Sequence, residues 1–144
     1  IKIIIIFMNK APYLKKLRNK LKSKHSIGSW LQIPNSNVAE ILGSSGYDWI
    51  TIDMEHGAVS IDQLPDLCRA IELGNTLPFA RVANLNLEEN QRILDAGISG
   101  LIFPKIESAK NLEKLIKACT YPPYGNRGVG YSRANMFGKN LNSN

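Results

Sequence analysis

An aspartate, a glutamate and a histidine stand within four residues in Asp53-Met54-Glu55-His56, and an arginine interrupts the small and apolar run Pro78-Phe79-Ala80-Arg81-Val82-Ala83. A carboxylate three positions before a histidine can hold one imidazole nitrogen while the other faces a substrate, which makes Asp53 and His56 a candidate general base. The alternative is that His56 only caps its loop. Arg81 needs an anion, because an unpaired guanidinium is costly to bury. That anion is either a neighbouring Asp or Glu, or a substrate carboxylate or enolate oxygen, which directed N–H donors stabilise.

Other polar residues have weaker claims. Trp30 and Gln32 follow one another at alternate positions, Trp30 reading as either core or a stacking surface, and Lys105 follows Pro104. Glu107 reads as a helix-start carboxylate near the dipole rather than a metal ligand. The segment Tyr121-Pro122-Pro123-Tyr124-Gly125-Asn126-Arg127-Gly128-Val129-Gly130 is either an ordered connector or subunit contact, or an anion cradle. In the second case its glycines admit backbone N–H groups and Arg127 adds charge.

These residues must be positioned by a repeating scaffold, and from Ser26 onward short apolar runs alternate with capped helical patterns, the mark of βα units. Strands are expected over 27–33, 48–53, 78–83 and 99–103. Helices are expected after Asn37-Val38-Ala39-Glu40, after the capping box Ser60-Ile61-Asp62-Gln63, after Asn86-Leu87-Glu88-Glu89 and from Ser108 to Ala118. Four such units permit a small doubly wound sheet or half of a (β/α)8 barrel. No glycine-rich phosphate loop follows the first strand, which weakens the nucleotide-binding version. In either array the carboxyl ends of the strands form the functional rim, and Trp30, Asp53, Glu55, His56, Arg81 and Lys105 all fall there.

Composition sets the outer bounds. The 144 residues are 44% hydrophobic and 21% charged, which describes one ordinary globular domain and excludes disordered, collagen-like and disulfide-rich classes. Cys68 and Cys119 stand in helical apolar patterns without metal spacing, so both read as reduced core thiols. The net charge of +6 is localised: residues 1–24 hold eight of the eighteen basic side chains and no acidic one, leaving ten basic against twelve acidic elsewhere. A basic leader helix over 1–24 on a mildly acidic domain over 25–144 accounts for this better than a nucleic-acid surface. Ile1 to Phe7 is too short to span a membrane and lacks the charge order of a signal peptide. Met8 offers an ordinary start, so these seven residues are expected outside the native fold, and the cytoplasm is the expected compartment.

Taken in order, Gly28-Ser29-Trp30-Leu31-Gln32, Gly46-Tyr47-Asp48-Trp49-Ile50-Thr51-Ile52-Asp53-Met54-Glu55-His56-Gly57, Arg81-Val82, Leu94-Asp95-Ala96-Gly97 and the loop from Tyr121 to Gly130 resemble the HpcH/HpaI aldolase family. The resemblance implies a (β/α)8 barrel of which this chain supplies an N-terminal helix and the first four βα units. It further implies a carbon–carbon lyase that reversibly cleaves a 4-hydroxy-2-oxo acid to pyruvate and an aldehyde, with Mg2+ or Mn2+ as Lewis acid. By the same resemblance His56, Asp53 and Arg81 are the catalytic residues. Trp30, Glu55, Arg127 and Asp95 are the substrate-binding ones, Asp95 serving near the site of a neighbouring subunit. A homo-oligomer, often a hexamer in the family, is implied, with small 2-oxo acids and aldehydes as partners and neither nucleic acid nor membrane.

Two departures qualify this picture. The family's metal ligands, a Glu after the fifth strand and an Asp after the sixth, fall beyond Asn144, so the chain is expected to be a fragment, or to need completion, and to be inactive alone. Met54 and Gly57 also flank the Glu-His pair where relatives tend to have Gly and Ala. Two rival readings are a non-catalytic half-barrel scaffold and an acyl-CoA lyase of the same superfamily.

Overall fold

The computed structural model describes residues 4–7, 17, 19, 22 and 25–139. Strand β1 is Ile4–Phe7 and β2 is Gly28–Leu31, followed by helix α1, Ser36–Ser44. Then come β3, Trp49–Asp53, and α2, Leu64–Leu73, which enters through a 3-10 turn at Ile61–Gln63. Strand β4, Leu77–Arg81, and α3, Leu87–Asp95, form the next unit, and β5, Gly100–Phe103, with α4, Ala109–Cys119, the last.

The helix starts follow from side-chain oxygens that accept otherwise orphaned backbone N–H groups. Asn35 accepts from Asn37 and Val38 before α1, two residues earlier than the expected start. Asn86 accepts from Glu89 before α3, and Ser108 from Asn111 before α4. The box at Ser60 and Gln63 forms in both directions, and Pro65 sits in the first turn of α2, where its missing N–H costs nothing. Helices α1 and α2 cross almost backbone to backbone: a Cβ on Gly74 would lie 2.1 Å from the carbonyl carbon of Gly43.

Strands β2 to β5 pair in parallel, in the spatial order β1-β5-β4-β3-β2, and their register decides which side chains share a face. Trp30 pairs with Thr51 and Thr51 with Phe79, while Asp53 pairs with Arg81 and Arg81 with Ile102. With a side-chain period of two, Ile50, Ile52, Ala80, Leu101 and Phe103 face the helices. There they join Leu64, Leu67, Cys68, Ile71, Ile93, Leu94 and Leu115 in the main core. The opposite, inner face rises from Trp49 through Thr51 to Asp53, and from Leu77 through Phe79 to Arg81. At its foot Trp49 and Phe79 stack with ring centroids 6.1 Å apart, and buried Leu17 packs against Leu77 and Phe79. The same alternation that makes the core thus lifts two ionisable residues to the rim.

Both cysteines are free and buried, as their patterns suggested, and burial pushes the thiols up to about 12 for Cys68 and about 11 for Cys119. Among the described residues no helix is long and apolar enough to cross a membrane.

The amino-terminal segment departs from expectation. Ile4–Phe7 does not stand outside the fold but pairs antiparallel with β5, Ile4 opposite Phe103 and Phe7 opposite Gly100. An unpaired edge strand is a template for any β-prone run, and four consecutive isoleucines and phenylalanine supply one. Of the expected basic leader helix, Leu17, Asn19 and Lys22 are helical and the rest lies outside the described residues.

Candidate active site

Asp53 ends β3 with no exposed surface, and five donors converge on its carboxylate. Arg81, directly opposite on β4, donates Nε to Oδ1 at 3.0 Å and Nη2 to Oδ2 at 2.7 Å. Gln32, one step past β2 on the same face, donates Nε2 to Oδ2 at 2.8 Å. The backbone N–H groups of Glu55 and His56 reach Oδ1 at 3.2 Å each. Burial alone would push this carboxyl upward, but the hydrogen bonds from Arg81, Gln32 and His56 outweigh it and hold the group well below the usual carboxylate range. Asp53 is therefore a permanent anion whose lone pairs are committed.

The expected contact between the Asp53 carboxylate and the His56 ring is not what forms: Asp53 reaches His56 through the backbone. The reason is competition, since a bidentate guanidinium and an amide already occupy the carboxylate. The His56 ring instead lies with Nε2 3.6 Å from Oε2 of Glu55, its side chain 62% exposed. Gly57 makes this fold-back possible, because a Cβ there would fall 2.2 Å from the carbonyl oxygen of Asp53.

Glu55 is the hub of the rim. Its side chain is 7% exposed and is approached by Lys105 Nζ at 2.9 Å from Oε1 and by Arg81 Nε at 3.4 Å from Oε2. The bond to Lys105 chiefly holds its carboxyl below the ordinary range, against the opposing effect of burial. Trp30 lies on the other side of Arg81, its ring centroid 4.7 Å from Cζ, in a cation–π contact that leaves the indole partly exposed. Of the two sequence readings of Trp30, stacking at the rim is the one that the structure displays. Two residues that the sequence placed on the rim without a task, Gln32 and Lys105, turn out to hold the two carboxylates.

Arg127 and Asp95 do not join this group. Asp95 ends α3, which runs back along the sheet, so the residue lies toward the amino ends of the strands. Arg127 is buried against it, donating Nη2 to Oδ1, with Ser132 Oγ donating to the same oxygen at 3.2 Å. Tyr121 covers the guanidinium at 4.7 Å, and Arg133 pairs with Glu72 nearby. The charge of Arg127 is engaged within the fold, and the connector reading of residues 121–130 accounts for it.

The comparisons with known proteins follow this geometry closely. The family model described as HpcH/HpaI aldolase/citrate lyase matches residues 26–142. The chain belongs to that family. A hydroxypyruvate/pyruvate aldolase of Roseobacter denitrificans is 38% identical over 114 residues, 78% of this chain and 44% of that protein. A 2-keto-3-deoxy-L-rhamnonate aldolase of Escherichia coli K12 is 35% identical over 130 residues, 89% of this chain and 48% of that protein. Among solved structures, an HpcH/HpaI aldolase/citrate lyase family protein from Burkholderia cenocepacia superposes with a TM-score of 0.79 at 31% identity, covering 88% of this chain and 52% of that one. The four parallel βα units thus correspond to part of a (β/α)8 barrel, and the chain spans about half the length of the curated relatives it matches.

A divalent cation, which the resemblance implies, finds no ligand set here. Among the described residues no group of three or more His, Cys, Asp or Glu side chains could hold a metal ion. The oxygens of Asp53 and Glu55 already face cations and amides, so the chemistry open to these side chains is anion binding and proton transfer.

Proposed function

We propose that this rim belongs to an aldolase that cleaves a 4-hydroxy-2-oxo acid to pyruvate and an aldehyde. The observation that carries the reading is the clamped Arg81. Nε and Nη2 are fixed on a buried carboxylate, while Nη1 has no hydrogen-bond partner among the described residues and the side chain keeps 24% of its surface open. That donor edge is pre-oriented for an oxygen that gains negative charge, the arrangement that stabilises an enolate most effectively. His56, exposed beside it, takes the proton of the C4 hydroxyl. The C3–C4 bond then breaks, the aldehyde leaves, and the electron pair passes to the C2 oxygen of the pyruvate enolate at Arg81. No step is derived through a metal.

Small 2-oxo acids and aldehydes are the substrates on this reading. Homo-oligomeric assembly, the use of Asp95 near a neighbouring subunit's site and a cytoplasmic location rest on the family resemblance. The test couples pyruvate release to lactate dehydrogenase in a polypeptide that joins this chain to the remaining half of its relatives' length, with Mg2+ or Mn2+ added. Release that is lost in His56→Ala supports the reading; no release from a panel of hydroxy-oxo acids opposes it.

One observation favours a second reading, a non-catalytic scaffold: β1 lies along the β5 edge, where the next parallel strand of a barrel would pair. The same assay separates the two.

A further inference from the structure

Lys105 stands at the carboxyl end of β5 with φ of +57°, a left-handed conformation that costs a non-glycine residue about 1 kcal/mol or more. What that conformation accomplishes is visible at the side chain. It brings Nζ to 2.9 Å from Glu55, yet Lys105 keeps 78% of its side-chain surface while Glu55 keeps 7%. An ammonium has three donors and no acceptor. One points at Glu55, and such exposure leaves the others on the open side of the rim.

The layout of the strands gives this cation a direction. In the order β2, β3, β4, β5 the rim presents Trp30 and Gln32, then Asp53, then Arg81, then Lys105. Arg81 is therefore flanked by an apolar wall on the β2 side and a cationic one on the β5 side. Without substrate the two carboxylates balance the two cations. An arriving 2-oxo acid engages Arg81 at its reacting end, and whatever extends toward β5 meets Lys105. A neutral end gains nothing there. A carboxylate end meets a flexible four-carbon stem whose ammonium can serve Glu55 and the newcomer together.

We infer that Lys105 is a specificity-determining residue that favours substrates whose aldehyde portion carries a second carboxylate. The inference rests on the aldolase reading of the same rim, and its test has two arms. In the first, the 144-residue chain is titrated with succinate and with butyrate, equal in carbon number, and the amide NMR signals of Asp53–Gly57 and Gly100–Lys105 are followed. Succinate is expected to bind about tenfold more tightly, as one additional exposed ion pair allows. Lys105→Met should abolish that difference and Lys105→Arg should retain most of it. Equal binding of the two probes, no binding of either, or a preference that survives Lys105→Met would overturn the inference.

In the second arm, the completed polypeptide is assayed with a hydroxy-oxo acid ending in a carboxylate and with its methyl-terminated counterpart. The ratio of their kcat/KM values should fall about tenfold in Lys105→Met, chiefly through KM. Equal losses on both substrates would show that Lys105 only holds Glu55 in place. A succinate preference without pyruvate release from either substrate would leave the carboxylate site standing and count against the aldolase reading alone.

Discussion

The molecule contains the same device twice, with its parts exchanged. At the carboxyl ends of the strands Arg81 pairs with Asp53 and stacks on Trp30; toward the amino ends Arg127 pairs with Asp95 and stacks on Tyr121, each at 4.7 Å from ring centroid to Cζ. At the rim the carboxylate is fully buried and the guanidinium is 24% open, whereas in the second cluster the guanidinium is fully buried and the carboxylate 37% open. A buried carboxylate that anchors a partly open arginine presents donors to whatever arrives. A buried arginine anchored by a partly open carboxylate presents nothing and ties a loop to a helix. Which partner is exposed, not which residues pair, separates a site from a clamp.

The largest effect that should break this symmetry comes from paired conservative substitutions. In the completed polypeptide, Arg81→Lys keeps the charge but loses the bidentate fork, and pyruvate release should fall by about 10² to 10³ while the urea midpoint moves little. Arg127→Met should show the reverse emphasis. Removing a buried guanidinium and its packing is expected to lower stability by roughly 2–4 kcal/mol, read from urea unfolding of the chain.

Acid sharpens the comparison next. Because the folded-state pKa of Asp53 lies below its unfolded value, its contribution to stability is complete above the usual carboxylate range, about pH 4, and declines as pH falls toward the folded value. Urea unfolding between pH 2 and 6 should show a slope on the acid side that Asp53→Asn reduces. An unchanged slope would mean that the five donors do not hold Asp53 as an anion.

The smallest expected effects concern the aromatic faces. Trp30→Leu and Tyr121→Leu each remove a cation–π contact worth about 0.5–1 kcal/mol. The first should appear chiefly in KM and the second chiefly in the urea midpoint.

Much of the scaffold was legible because caps and apolar periods are local. Ser60 with Gln63, Asn86 and Ser108 each announced a helix that forms where the pattern put it, and the four parallel strands fall within their apolar runs. The rim was legible as a set, since residues at strand ends must share an edge once the strands are parallel. What spacing could not reveal was the partner of each group. Asp53 and His56 are near in sequence, but the carboxylate goes to Arg81, twenty-eight residues away and directly opposite in register. The part played by Lys105 depends on a left-handed backbone that no local pattern demands of a lysine. Arg127 resembled an anion-binding residue because its neighbours are glycines, and only the packing of residues 121–135 on the end of α3 brings Asp95 to it. The pairing of Ile4–Phe7 was hidden for a similar reason: a short apolar run reads as stray until an open edge is there to receive it.

The central claim is that Arg81, held by Asp53, cradles the enolate oxygen of pyruvate. Its most direct measurement is exchange of the pyruvate methyl protons for deuterium in D2O, followed by proton NMR with the completed polypeptide. The account predicts steady loss of the methyl signal with the native sequence and at least about a hundredfold slower loss with Arg81→Lys. Equal exchange by the two, with both folded, would contradict it.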